Sequence, residues 1–303
     1  MEGAPKSASK RRSYAIDQSP LYRLGSHRKL ANLLGISVLD LRRFRHSEAM
    51  YREFDLAKKG GGSRRIENPA RNLKRVQAKL ARLLTRIEPP NYLYCPVKGR
   101  SYISNAAQHL NNRVVRCLDI KKYFPSTPSH RVYWFFRSIL KCETDVADTL
   151  TRLSTYRKRL PTGSPLSPFL AYFAYCSIWE RVASIARDHG VTLTVYVDDV
   201  TLSGKRVPRK IVWEIEKVIH SSGLRYHKEK SYFDRPAEIT GVIVNRERLL
   251  APQRQHKKLH LVKVSLARTC GKEKTAALTK IGGLQGQMKQ ISNGLIEALE
   301  PRR

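Results

Sequence analysis

Thr194-Val195-Tyr196-Val197-Asp198-Asp199-Val200-Thr201-Leu202-Ser203 places two adjacent acids between apolar, β-branched flanks. Val, Tyr and Thr favour strands and Asp favours tight turns, so the stretch predicts two short strands joined near the acids. A solvated hairpin tip accounts for one Asp. Two side by side repel each other unless a cation is close. Carboxylate oxygens on such a turn suit Mg²⁺, a hard cation that takes few protein ligands and keeps positions open for phosphate. A two-metal phosphoryl-transfer site then needs a further acid from elsewhere in the chain.

That acid is expected 79 residues upstream, in Arg113-Val-Val-Arg-Cys-Leu-Asp119-Ile-Lys-Lys-Tyr-Phe124-Pro-Ser. The run predicts a strand ending at Asp119, an interruption at Pro125 and Ser126, and helical spacing from Ser129 to Leu140. Between the two acidic blocks lies Leu160-Pro-Thr162-Gly163-Ser-Pro-Leu-Ser-Pro168, a loop of Pro, Gly and small hydroxyls. It leads into the apolar run Phe169 to Ile178, which predicts a buried helix.

The bulk properties narrow the class. The 303 residues carry 58 Lys and Arg against 25 acids, a net charge of +33. Such an excess points to a polyanion held through phosphate contacts and counterion release. The sequence contains no apolar run of transmembrane length and no lipidation signal, which makes nucleic acid the expected partner and not a membrane. Five cysteines without paired or zinc-type spacing predict reduced thiols in the cytoplasm, and the N-terminus has no secretory pattern.

Further blocks surround the acids. Lys58-Lys59-Gly60-Gly-Gly-Ser63-Arg64-Arg65-Ile66-Glu67 has the Gly-rich tip and basic flanks of a mobile hairpin, and Leu73 to Leu84 has the spacing of an amphipathic helix. Leu21 to Phe54 predicts two short helices with a break near Gly35. Asn105-Ala-Ala-Gln-His109 sets two polar side chains four apart, on one helix face. Gly223-Leu-Arg-Tyr-His227-Lys228-Glu-Lys230 and Glu238-Ile239-Thr240-Gly241-Val242 follow the acidic hairpin. From Arg246 to Arg303 there are 13 Lys and Arg against 4 acids, with Leu259, Leu261, Val262, Leu266, Leu278, Ile281, Leu284 and Ile291 near helical spacings.

In this order the blocks resemble the palm of a reverse transcriptase. Asn-Ala-x-x-His upstream and Ile-Thr-Gly downstream resemble the bacterial retron branch of that family. The resemblance implies an α+β right-hand polymerase with fingers, palm and helical thumb. The expected ranges are a basic flexible arm over 1–18, N-terminal helices and fingers over 19–112, palm with interleaved fingers elements over 113–245, and thumb over 246–303. It implies that Asp119 and Asp198 hold two Mg²⁺ ions with Asp199 in support. Phe124 is expected to close over the incoming sugar. Thr162 and Gly163 are expected to pack on the nascent pair, although many relatives have Gln at the Thr162 position. Arg64 or Arg65 is expected at the triphosphate, and Lys230, or Lys228, near the leaving group.

Asn105, His109, Thr240 and Gly241 are expected to help seat a structured noncoding RNA. That RNA would be copied from deoxynucleoside triphosphates into DNA, starting at an internal guanosine 2′-hydroxyl. The branched product would act in anti-phage defence with a nearby effector protein. A group II intron-like enzyme is the rival within the class; a catalytically inactive RNA-binding scaffold is the rival outside it.

Overall fold

The computed structural model describes residues 13–44, 46–57, 61–266 and 270–299. Helix α1 (His27–Leu34) starts at Ser26, whose hydroxyl accepts from the Lys29 N–H, and ends at Gly35 in the left-handed conformation (φ 57°). Gly35 therefore provides the expected break before α2 (Val38–Phe44). Strands β1 (Tyr51–Ala57) and β2 (Ser63–Pro69) form an antiparallel hairpin, with Tyr51 opposite Pro69 and Ala57 opposite Ser63. The tip expected at Lys58–Gly60 lies outside the described residues. Helix α3 (Arg71–Leu84) buries Leu73, Val76, Leu80 and Leu84, as its spacing predicts.

The chain continues through β3 (Leu93–Cys95), α4 (Tyr102–Ala107) and β4 (Val114–Ile120). Helix α5 (Ser129–Trp134) runs into a π-turn at Phe135–Ile139, and α6 (Thr144–Ser154) follows. The single buried helix expected over Phe169–Ile178 is two helices, α7 (Ser167–Phe173) and α8 (Cys176–Asp188). A tightened turn, with the Tyr175 N–H donating to the Tyr172 carbonyl at 3.0 Å, ends the first. Then come β5 (Thr192–Tyr196), β6 (Asp199–Gly204), α9 (Arg209–Ser221), β7 (Tyr226–Phe233), β8 (Ala237–Ile239), β9 (Val242–Asn245) and β10 (Arg248–Leu250). Helices α10 (Gln253–Leu266) and α11 (Gly271–Leu299) complete the described chain.

Two compact units result, each built from two separate stretches. One comprises the chain up to Pro90 together with Lys122–Cys176. Residues 1–12 of the expected basic arm lie outside the described residues. From Tyr14 the chain is tied down: its N–H donates to the Arg86 carbonyl and its own carbonyl accepts from Glu88, both at 2.9 Å. Backbone pairing therefore anchors the last part of the 1–18 segment.

The other unit comprises Asn91–Lys121 and the chain from Ser177. Its five-stranded sheet has the order β3-β5-β6-β4-β7. The pairing is antiparallel except for β3, which lies parallel to β5. A second sheet, β10-β9-β8, packs with α4 and α11 in a core of Ile103, Ala106, Val115, Ile239, Val242 and Ile291. Gly294 on α11 lies so close to Ile103 that a Cβ there would force the Ile103 side chain to shift. The segment from Arg246, expected to form a helical thumb, opens with strand β10 ahead of its helices, because Arg248–Leu250 pairs with Ile243–Asn245. Of its apolar residues Val262, Leu284 and Ile291 are buried, whereas Leu261 and Leu278 are exposed. Among the described residues no helix is long and apolar enough to cross a membrane.

Candidate active site

Register brings the acids together. Asp119 near the end of β4 stands directly opposite Asp199 at the start of β6. Residues directly opposite in a sheet share a face, so the two carboxylates lie on the same side. Tyr196 also pairs with Asp199, which leaves Val197 and Asp198 as a two-residue loop. The loop is held on both sides: the Val197 N–H donates to the Cys95 carbonyl at 3.4 Å, and the Asp198 carbonyl accepts from Ile120 at 2.8 Å. Val197 has φ 56°, unfavourable for a β-branched residue, at a cost of roughly 1–3 kcal/mol. That strain is concentrated where the backbone presents two acids.

The electrostatics of this cluster favour a cation. The Asp199 carboxyl is pushed up to about 6, first by burial and then by Asp198 and Asp119, with Lys230 acting in the opposite sense. Crowded carboxylates of this kind are relieved when a divalent ion neutralises them. Among the described residues no group of three or more His, Cys, Asp or Glu forms a preassembled metal cage. Hard carboxylate oxygens are the donors that Mg²⁺ takes, with water and phosphate completing its shell, so Asp119, Asp198 and Asp199 are the residues that would hold such an ion.

Strand β7 brings basic groups to the same cluster. Lys228 is opposite Asp119 and Lys230 is opposite Cys117, both exposed on the face that Asp119 occupies. Of the two, Lys230 acts on Asp199. A register shift between Asp119 and Ile120 also brings His227 Nδ1 within 3.7 Å of Asp119 Oδ1. Residue types carry no signal for this placement of His227, because a bulge is not legible in them.

Asn105, His109 and Thr240 do come together, but not as an RNA-facing surface. Asn105 and His109 are completely buried. Asn105 Nδ2 donates to Thr240 Oγ1 at 3.3 Å, and Thr240 Oγ1 donates to the Tyr102 carbonyl at 3.1 Å. Thr240 (φ 45°) and Gly241 (φ 88°) form the tight turn between β8 and β9, where positive φ at both positions matches the strand twist. The His109 ring bridges the acidic hairpin, with Nδ1 2.7 Å from Ser203 Oγ and Nε2 2.8 Å from Thr194 Oγ1. Burial holds this imidazole neutral, its pKa pushed down to about 3. Asn105 and His109 are thus enclosed, and the side chains expected to help seat an RNA have no surface of their own to offer it. The only trace of Thr194 and Ser203 as partners of His109 in the sequence is that both are hydroxyl residues among apolar strand residues.

In the other unit, the hairpin arginines separate. Arg65 is ion-paired with Glu53 and lies 3.7 Å from Asp55. Glu53 is also held by the Tyr156 hydroxyl at 2.6 Å and by Arg157 at 3.0 Å. Arg64 makes no ion pair among the described residues. Thr162 is engaged by β2: its hydroxyl donates to the Arg65 carbonyl at 2.9 Å and accepts from the Glu67 N–H at 3.1 Å. The Gly163 N–H donates to the Glu67 carbonyl, and a Cβ there would lie 2.6 Å from that oxygen. These two residues therefore fasten the loop to the hairpin. Phe124 is half-buried, its ring stacked 6.2 Å from that of Tyr123, whose hydroxyl donates to the Ala171 carbonyl at 2.7 Å.

Comparison with known proteins gives one family and a consistent set of relatives. The model of the family "Reverse transcriptase (RNA-dependent DNA polymerase)" matches residues 56–244. The chain is 30% identical over 201 residues to the Retron Se72 reverse transcriptase of Salmonella heidelberg (strain 579083-10), covering 65% of this chain and 53% of the relative. It is 31% identical over 265 residues to the Retron Mx65 reverse transcriptase of Myxococcus xanthus, covering 76% and 61%. The chain thus spans little more than half the length of these curated relatives. A foamy viral protease-reverse transcriptase, solved in complex with double-stranded DNA, aligns at a TM-score of 0.48 and 15% identity over 84% of this chain and 40% of its own.

Proposed function

The chain belongs to the reverse transcriptase (RNA-dependent DNA polymerase) family, and on that premise we propose that it copies RNA into DNA. The carrying observation is the in-register pair Asp119 and Asp199, with Asp198 on the adjoining loop. Two Mg²⁺ ions held by these acids would supply Lewis-acid activation of a primer hydroxyl and neutralise charge at the phosphates. Lys230 supplies positive charge beside the acids, and from family likeness it serves the pyrophosphate leaving group. From family likeness, Phe124 excludes the ribose 2′-hydroxyl, and Arg64, which makes no ion pair among the described residues, meets the triphosphate. Thr162 and Gly163 support these roles by holding the loop on β2.

The likeness to retron enzymes carries the finer reading. The template is a structured noncoding RNA, priming uses an internal guanosine 2′-hydroxyl, and the branched DNA works with an effector protein in anti-phage defence. Free thiols at all five cysteines suit the cytoplasm. The fingers, palm and thumb ranges belong to the same proposal. The test is extension of a DNA primer on an RNA template with the purified protein, Mg²⁺ and deoxynucleoside triphosphates, alongside sequencing of nucleic acid recovered with the protein from cells. No extension would remove the enzyme reading. Extension without RNA-linked DNA would remove only the retron reading.

A further inference from the structure

A cavity of about 650 Å³ opens at the end of the five-stranded sheet remote from the acids. Arg113 and Val115, at the start of β4, line it, whereas Asp119 lies near the other end of that strand. At the rise of a β-strand the two ends are roughly 20 Å apart. Val115, Ala237 and Val244 form an apolar floor, and four arginines against two carboxylates, Asp234 and Glu247, form the walls. The charge is unevenly spent. Arg113 pairs with Asp234 through two bonds of 2.8 and 2.9 Å, and Arg235 bonds the Ser231 carbonyl at 2.9 Å and lies over the Tyr232 ring. Arg246 acts on Asp234 only through longer-range attraction, without forming an ion pair, and Arg248 makes no ion pair among the described residues.

We infer that this cavity is a second nucleic-acid contact, in which Arg246 and Arg248 hold phosphodiester oxygens of an RNA strand whose base or sugar rests on the apolar floor. It rests on the proposed RNA substrate and names a place for RNA that is not being copied. The volume matches a pocket for one small organic unit. Guanidinium forks suit phosphate oxygens in geometry and charge. A polymer is favoured over a free nucleotide because both arginines are exposed. Exposed ion pairs with a lone phosphate gain little in water, whereas each contact along a strand adds counterion release.

The test compares the unsubstituted protein with R246A/R248A. Binding is measured over a range of salt to an RNA hairpin carrying a single-stranded extension, and to a short blunt RNA–DNA duplex. Loss of two phosphate contacts should lower the salt slope for the extended RNA by about 1.5. The slope for the blunt duplex, and primer extension on it, should stay unchanged. R28A/K29A, which removes the same charge elsewhere, should leave the extended-RNA slope in place, and R246K/R248K should restore most of it. Uridine monophosphate and inorganic phosphate, added as competitors, should not displace the extended RNA. An unchanged slope in R246A/R248A, an equal loss on both probes, or displacement by the free phosphates would overturn the assignment. Primer extension by the unsubstituted protein keeps such a failure distinct from failure of the enzyme reading.

Discussion

Asn105 Nδ2 donates to Thr240 Oγ1 at 3.3 Å across 135 residues of sequence, joining α4 to the β8–β9 turn. The two blocks that bracket the acids along the chain are therefore one buried contact. Tyr102 and Asn105 meet Thr240, and His109, two residues beyond α4, bonds Thr194 and Ser203 on both strands of the acidic hairpin. Thr240→Val keeps the shape but removes the hydroxyl partner of Asn105 Nδ2, on an amide whose buried Oδ1 has no hydrogen-bond partner, at a cost of about 1–3 kcal/mol. Denaturant unfolding should show this loss, whereas affinity for RNA, measured on the protein that remains folded, should stay unchanged. A fall in affinity with stability intact would restore a direct RNA role to the turn.

His109 should make the fold sensitive to acid. Its pKa in the folded chain is pushed down to about 3 by burial, below the 6.5 of a free imidazole. The unfolded chain then binds the extra proton first, so stability is full above the unfolded value and falls as pH drops. The slope approaches about 1.4 kcal/mol per pH unit. His109→Gln, which retains hydrogen-bonding atoms without a titrating ring, should flatten this slope between about pH 5 and 6.5 relative to the unsubstituted chain. Equal slopes would mean that the ring does not stay neutral in the fold.

Asp198→Asn and Asp199→Asn should each lower primer extension by at least about a hundredfold, because the neutral amide cannot clamp a cation. RNA affinity should hold or rise slightly, since negative charge is removed from a basic protein. Steady-state extension and filter binding on the same preparations separate the two effects. Undiminished extension by the double substitution would remove the acids from the chemistry.

Arg64→Ala and Arg65→Ala should part company. Arg64 makes no ion pair among the described residues and is the proposed triphosphate contact, so its loss should raise KM for deoxynucleotides about tenfold, the effect of roughly 1.4 kcal/mol of lost binding. Arg65 is bound to Glu53 and Asp55, so its loss should appear chiefly as a lower unfolding midpoint. The opposite assignment of effects would show that Arg65 leaves its carboxylates when nucleotide binds.

Phe124→Val should raise ribonucleotide incorporation relative to deoxynucleotide, because a smaller side chain leaves volume beside C2′. Competition between the two nucleotide classes, read as the ratio of kcat/KM values, measures it. An unchanged ratio would assign the gate to another residue.

The sequence by itself determined the local units. β-branched flanks around Asp198-Asp199 define strands with a turn, Gly35 ends a helix, and the spacing of Leu73, Val76, Leu80 and Leu84 defines a buried helical face. The order of the blocks was enough to point to the family. Pairing across the sheet was decided only by the tertiary structure, because residue types do not encode register. Register put Asp119 opposite Asp199, and the bulge beside it brought in His227. Burial was likewise a tertiary outcome: Asn105 and His109 look like surface ligands in a polar motif. They are enclosed because Thr194, Ser203 and Thr240, distant along the chain, supply the hydrogen bonds that let polar side chains leave water. The same holds for Arg64 and Arg65, adjacent and alike in sequence, which the alternation of a strand and the position of Glu53 make chemically different.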